Sequence, residues 1–288
     1  GGLGVRSSLL GGLVGVLHRF FKSNPVRGCF SRAANYAGRM RVLLVFLTTA
    51  LAAHAAIQQR FELRHVNQFT VTSSGKTVAV YGAVKETDTV LLTHHRRDAH
   101  GKLAGAIIAP EAERAHFEKA REFWTGFAKN RFHYYAQQST KVPVEPIAVQ
   151  RWVKEGDVVT VGKVRLRVLA TPGFTRGAVS YVGTVDGRRV AFTGDLIMGD
   201  GKVFDLYSFQ DAIPTAKVGG YHGYGGRLAD LISSLQKLRA ARLDVIYPVR
   251  GPVIHKPNAA IDQLIARVRA LYRNYLSTNA LHWYFKEE

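Results

Sequence analysis

Residues 93–101 read THHRRDAHG and follow directly on the apolar run TVLL at 89–92. A strand that ends in a loop rich in His and Asp aims several donors into one cleft at the edge of a sheet. Neutral imidazole and carboxylate suit zinc, and a catalytic zinc keeps about three protein ligands and one open position for water. The metal lowers the pKa of that water to roughly 7, which makes hydroxide available at neutral pH. Taken alone, a cluster this short reads as a polar surface loop, so its meaning rests on what the rest of the chain places beside it.

Three later segments supply that context. Residues 170–180 read ATPGFTRGAVS, residues 190–197 VAFTGDLI, and residues 244–254 DVIYPVRGPVI. In this order and at these spacings, the four segments resemble the motifs of the metallo-β-lactamase superfamily. Those motifs are T-H-x-H-x-D-H, T-P-G-H-T-x-G-S/A-x-S, a strand ending F-T-G-D, and an apolar strand running into His-Gly-x-x-I. The resemblance covers roughly residue 59 to the C-terminus. It implies an α/β (α+β) chain folded as an αββα sandwich, two sheets covered by helices.

Carried over position by position, the resemblance implies a first metal site at His94, Arg96 and Phe174. The second would draw on Asp98, Ala99 and Arg250, with Asp195 bridging the two. Arg96, Ala99, Phe174 and Arg250 stand where the family has His. The remaining candidate metal ligands are therefore His94, Asp98 and Asp195, with Asp98 the candidate catalytic carboxylate. Arginine stays protonated and cannot ligate. Arg250 is instead expected to form a bidentate ion pair with Asp98 or Asp195, standing in for the missing metal charge. The pattern leaves room for one zinc ion at most, held with one borrowed imidazole. His95 and His100 flank the motif, and His222 lies in the Gly-rich run 219–226. A register shift that places His95 and His100 on the first and last His positions displaces Asp98, so those two readings exclude each other. Upstream, Tyr81 replaces the Asp of the family's Asp-x-Gly, and only six residues separate Gly82 from the next strand, too few for a helix of usual length.

The chain carries 40 Lys and Arg against 21 Asp and Glu, and its first sixty residues contain no acidic residue. Within that stretch, Arg39-Met40-Arg41 precedes the apolar segment 42–56, VLLVFLTTALAAHAA. A basic start, a short apolar core and Ala53-His54-Ala55 read as a bacterial signal peptide over 40–55, cleaved before Ala56. That predicts export to the periplasm or beyond. The apolar core is shorter than the ~20 residues that span a bilayer, so no permanent membrane span is expected. Residues 1–39, with the only cysteine, Cys29, read as a leader or upstream sequence outside the fold, also resembling an organelle transit peptide. The domain is assigned to 59–288.

Within it, strands are expected at 60–71, 76–81, 89–93, 106–109, 165–170, 179–184 and 188–193. Turns at Ser74-Gly75 and Asp186-Gly187 join hairpins. Helices are expected at 110–127, 227–240 and 259–276, where apolar residues recur every three or four positions. Trp124, Trp152 and the aromatic set at 132–135 read as core rather than a substrate groove.

Three functions compete. One is a hydrolase-type metallo-β-lactamase fold with an eroded zinc site and reduced or absent activity, or a mononuclear zinc hydrolase built on the residual ligands. Another is a non-catalytic module whose cleft takes a small-molecule, envelope-polymer or protein partner. A nucleic-acid enzyme is not favoured, since the basic residues are scattered without interleaved aromatics and the export signal removes the chain from nucleic acid. Composition does not decide the oligomeric state, and the fold does not decide the substrate.

Overall fold

Alternating apolar residues build two sheets. The computed structural model describes residues 55–62, 66–83, 85, 89–122, 143, 145–204 and 228–278, all within one unit, Ala53–Glu288. The leader 1–39, segment 40–54, Trp124, the aromatic set 132–135, His222 and residues 281–288 lie outside the described residues. The first sheet holds, in spatial order, β1 (Ala56–Glu62), β2 (Val66–Ser73), β3 (Lys76–Val80), β4 (Thr89–Leu91), β5 (Ala106–Pro110) and β6 (Arg151–Val153). The second holds β7 (Val158–Val161), β8 (Val164–Ala170), β9 (Val179–Val185), β10 (Arg188–Phe192) and β11 (Val245–Tyr247), in the order β11-β10-β9-β8-β7. Three helices are described: α1 (Arg114–Glu118), α2 (Leu228–Ala240) and α3 (Pro257–Thr278).

The two hairpin turns form where their residues predict. Ser74 and Gly75 have φ of 49° and 73°, and Asp186 and Gly187 have 50° and 72°. Positive φ at both central positions matches the right-handed twist of the flanking strands. The apolar pattern over 60–71, however, is two strands. β1 and β2 pair antiparallel from Ala56↔Thr72 to Glu62↔Val66. No Gly, Pro or Asn separates the two strands in sequence, so no turn signal divides them. β3 and β4 lie parallel and adjacent, in register Val78↔Thr89 to Val80↔Leu91. Parallel neighbours ordinarily need a crossover of a dozen residues or more. β4 is three residues long, so the return path is short and a shorter connection suffices.

The helix expected over 110–127 is also broken. A 3₁₀ turn, Glu111–Glu113, leads into α1, which is interrupted at Lys119 (φ −113°, ψ 36°) before helical backbone resumes over 120–122. The Phe117 carbonyl accepts from the Ile147 N–H at 2.9 Å, a long-range bond taking the acceptor that a continuing helix would use.

Phe69, Val71, Val80, Leu166, Val168, Tyr181 and Phe192 are buried together between the sheets. On the outer side of the second sheet, α2 and α3 bury Leu231, Ile232, Leu235, Ile261 and Leu264 against Ala191 and Ile246. Each such side chain contributes roughly 1.5–3 kcal/mol of apolar burial. On the outer side of the first sheet, Phe117 packs on Val90, Leu92 and Ala109, with Trp152 partly buried against them. No described helix is long and apolar enough to cross a membrane.

This layering sets four loops at one edge, each at the carboxyl end of a strand: after β4, between β8 and β9, after β10 and after β11. Bonds between the sheets and between these loops hold them in register. The Val179 N–H donates to the Thr93 carbonyl (2.9 Å), the Val249 N–H to Gly194 (3.0 Å), and the Tyr181 hydroxyl to Leu92 (2.9 Å). Asn67 on β2 clamps the last loop, donating from its side chain to the carbonyls of Pro248 (3.1 Å) and Gly251 (2.7 Å).

Candidate functional site

The loop after β10 needs Gly194, whose φ is +59° and where a Cβ would run into the Thr93 side chain. The turn aims the Asp195 carboxylate under the His loop, where it is buried. From the loop after β11, Arg250 Nη1 donates to Asp195 Oδ2. Arg250 Nη2 lies 3.1 Å from Asp98 Oδ2 and donates to the Asp98 carbonyl at 2.9 Å. Asp98 also accepts two bonds from Arg96, Nε to Oδ1 at 2.8 Å and Nη2 to Oδ2 at 2.5 Å. Asp98, Asp195 and Arg250, far apart in sequence, thus meet, with His94 Nε2 3.7 Å from Asp195 Oδ2.

The replaced positions fill the space among themselves. Arg96 is fully buried, and its guanidinium carbon lies 4.2 Å from the centre of the Phe174 ring. Phe174 in turn packs on the His94 ring at 5.1 Å. Arg250 lies 4.1 Å over the Phe204 ring. Each guanidinium therefore has carboxylate in its plane and an aromatic face against it, the two contacts that a delocalised cation accepts best.

His94 Nδ1 accepts from the Arg96 backbone N–H at 3.2 Å. Burial holds this ring well below the ordinary histidine range, so it is neutral and its proton sits on Nε2, the atom turned to Asp195. Zinc ligation there needs that position deprotonated. Burial pushes the Asp195 carboxyl up, against the pull of Arg250. Among the described residues, no three His, Cys, Asp or Glu are grouped to hold a metal ion.

His95 and His100 are engaged elsewhere. His100 Nε2 donates to the His94 carbonyl at 2.8 Å. His95 turns to Glu113, a buried carboxylate that the sequence marks only as an acidic residue at a helix start. Glu113 accepts from the His95 backbone N–H (2.5 Å), His95 Nδ1 (2.6 Å), the Gly177 N–H (3.1 Å) and the Thr175 hydroxyl. A Cβ at Gly177 would collide with the Glu113 side chain. Burial alone would raise the Glu113 carboxyl, but the charge and hydrogen bond of His95 outweigh it and hold it far below the usual carboxylate range. This one side chain ties the His loop to the β8–β9 turn. His116 stacks on His95 with ring centres 4.1 Å apart.

Residues 99–250, more than half of the chain, match the metallo-beta-lactamase superfamily. The chain belongs to that superfamily. A hydroxyacylglutathione hydrolase from Brucella anthropi is 31% identical over 127 residues, covering 41% of this chain and 37% of the relative. The chain thus spans well under half the length of that curated relative. Among solved structures, a metallo-beta-lactamase family protein from Thermus thermophilus superposes with a TM-score of 0.54 at 21% identity, over 77% of this chain and 82% of that one. The metallo-β-lactamase MIM-1 from Novosphingobium pentaromativorans gives 0.51 at 18%, over 74% and 86%. At these identities the two structures speak for the fold alone.

One departure from the superfamily pattern has a visible structural substitute. Tyr81 stands in place of the upstream Asp, at a φ of 72°. Its buried hydroxyl donates to the Tyr247 carbonyl at 2.7 Å and accepts from the Gly194 N–H at 2.9 Å, bracing the loop that carries Asp195. Tyr81→Phe leaves both backbone groups unsatisfied and is expected to cost about 1–3 kcal/mol, measured by urea denaturation. A change within a few tenths of a kcal/mol would contradict the bracing role.

The buried imidazoles of this metallo-β-lactamase-fold protein also set its acid limit. Burial lowers His100 and His116 to about 4 and His94 well below 6.5. A depressed folded pKa gives stability that is present above about 6.5 and lost as pH falls towards 4. The shift from 6.5 to about 4 corresponds to at most roughly 3 kcal/mol per ring. Asp195, raised by burial, works in the opposite sense. Urea midpoints are expected to fall steadily from pH 7 to pH 4, less steeply in His116→Phe. A flat profile would contradict this assignment.

Proposed function

We propose that this protein is a metallo-β-lactamase-superfamily member in which guanidinium–carboxylate pairing replaces the dinuclear zinc centre, with hydrolase activity reduced to nothing measurable. The observation that carries the reading is the placement of Arg96 and Arg250 on Asp98 and Asp195. Two permanent cations take up the charge of the two surviving carboxylates. The residues present do not fit a zinc ion: at the family's ligand positions, His94 Nε2 and Asp195 Oδ1 are the buried ligating atoms without a hydrogen-bond partner among the described residues. Two donors beside a guanidinium fall short of the three or four that a zinc site uses. The mononuclear alternative needs a further imidazole, and His95 and His100 each have one ring nitrogen fixed, to Glu113 and to the His94 carbonyl, which holds both rings in place.

The partial match to hydroxyacylglutathione hydrolases selects the substrate for the test, a hydroxyacylglutathione thioester. The purified chain supplied with zinc is expected to hydrolyse it no faster than buffer. Zinc-dependent turnover that disappears in Asp98→Asn would overturn the reading. We further propose export directed by residues 40–55, on the strength of their basic start, short apolar core and Ala-x-Ala end. N-terminal sequencing of the expressed protein is expected to begin at Ala56, and a soluble cytoplasmic chain that keeps Met40 would refute it.

A further inference from the structure

Away from the family cleft, beside the end of α2, the outer side of the second sheet forms a groove of about 710 Å³. Its charged lining is Lys163, Arg165, Arg167, Arg189, Lys237 and Glu155, five cations to one carboxylate. Alternation along β8 produces it. Val164, Leu166 and Val168 point into the core, so Arg165 and Arg167 stand exposed on the opposite face. Two residues of strand separate them by about 6.6 Å.

These cations differ from those of the family cleft, where each guanidinium faces a carboxylate. Glu155 is already committed to Lys237 (3.3 Å) and to the Ala170 N–H (2.7 Å). Lys237 also donates to the Ala170 carbonyl (3.0 Å), and Arg189 to the Ala241 carbonyl (3.2 Å), which fixes the rim. Lys163, Arg165 and Arg167 form no side-chain ion pair or hydrogen bond among the described residues. Between the cations the lining is apolar, from Leu169, Val182 and Ala240.

We infer that this groove binds a soluble phosphorylated organic molecule carrying at least two phosphate charges, of the nucleoside diphosphate kind. A guanidinium pairs with phosphate oxygens through two parallel bonds, and two guanidiniums spaced along one strand engage successive or bridging phosphates. The apolar lining between them takes the organic body, and the volume lies within the range of small-ligand sites. A concave groove of this size with an apolar lining suits such a molecule better than a flat bilayer or a long polyanion.

The test is calorimetric titration of the full chain with ADP, beside the double variant Arg165→Glu/Arg167→Glu. Both positions are exposed on a strand face, and Arg165→Gln/Arg167→Gln serves as the second variant if the first fails to fold. Binding is expected to weaken roughly tenfold or more in the variant, and also between about 0.05 M and about 0.5 M salt. Inorganic pyrophosphate, which lacks the organic body, is expected to bind less tightly than ADP. Three results would overturn the proposal: no ADP binding, equal ADP affinity in wild type and variant, or binding confined to other anions. The last is checked with phosphatidylglycerol vesicles and with single-stranded DNA of increasing length, where affinity rising with length would mark a nucleic-acid track.

Discussion

Arg250→Ala is expected to destabilise the fold by about 3–5 kcal/mol, the usual cost of removing one partner of a buried ion pair. The substitution strands the Asp195 carboxylate, whose Oδ2 then keeps, among the described residues, the His94 ring 3.7 Å away. Asp98 suffers less, since Arg96 still holds both its oxygens. The loss therefore traces to Asp195, and Asp195→Asn added to Arg250→Ala is expected to recover much of it. The pH dependence has a definite sign. Without Arg250, burial raises the Asp195 pKa further, and a raised folded pKa favours the folded state at low pH. The deficit of Arg250→Ala against wild type is expected to be larger at pH 8 than at pH 5. Urea denaturation at both pH values measures it; a deficit below about 1 kcal/mol at pH 8 would mean that the pair is not a stabilising contact.

Glu113→Ala is the second large effect, also about 3–5 kcal/mol. Four donors converge on this carboxylate, and hydrogen bonds to a charged group contribute about 1.5–3 kcal/mol each, without simple additivity. Removal leaves the His95 and Gly177 N–H groups buried without acceptors and detaches the His loop from the β8–β9 turn. Glu113→Gln is expected to fall between, because it keeps one acceptor oxygen but turns an NH₂ towards donors. Thermal melts of both variants report the order. Equal stability of Glu113→Ala and wild type would show that the two loops are held by other contacts.

The residues differ in how far they announce these roles. Hairpins at Ser74-Gly75 and Asp186-Gly187 are local, set by residues that accept positive φ, and so are readable from the chain itself. The same holds for α2 and α3, whose apolar spacing reproduces one buried helix face. The convergence of Asp98, Asp195 and Arg250 is not local; it follows only from the order of motifs that resembles the superfamily. What escapes the sequence is long-range and made by single atoms. Arg96 reads as a lost ligand, and only the fold turns its guanidinium to Asp98 and lays it on Phe174. Glu113 reads as a helix-start acid, yet its partners lie 18 to 64 positions away. No Gly, Pro or Asn separates β1 from β2 in sequence, and the interruption after α1 depends on a carbonyl claimed by the distant Ile147.

Zinc content tests the central claim most directly. The full chain, purified without chelator and equilibrated with excess zinc before desalting, would be analysed for metal together with His94→Ala and Asp98→Ala. The account predicts no more than a trace of zinc in all three, because guanidiniums rather than metal ions neutralise Asp98 and Asp195. Close to one zinc per chain in the wild type, lost in both variants, would contradict it.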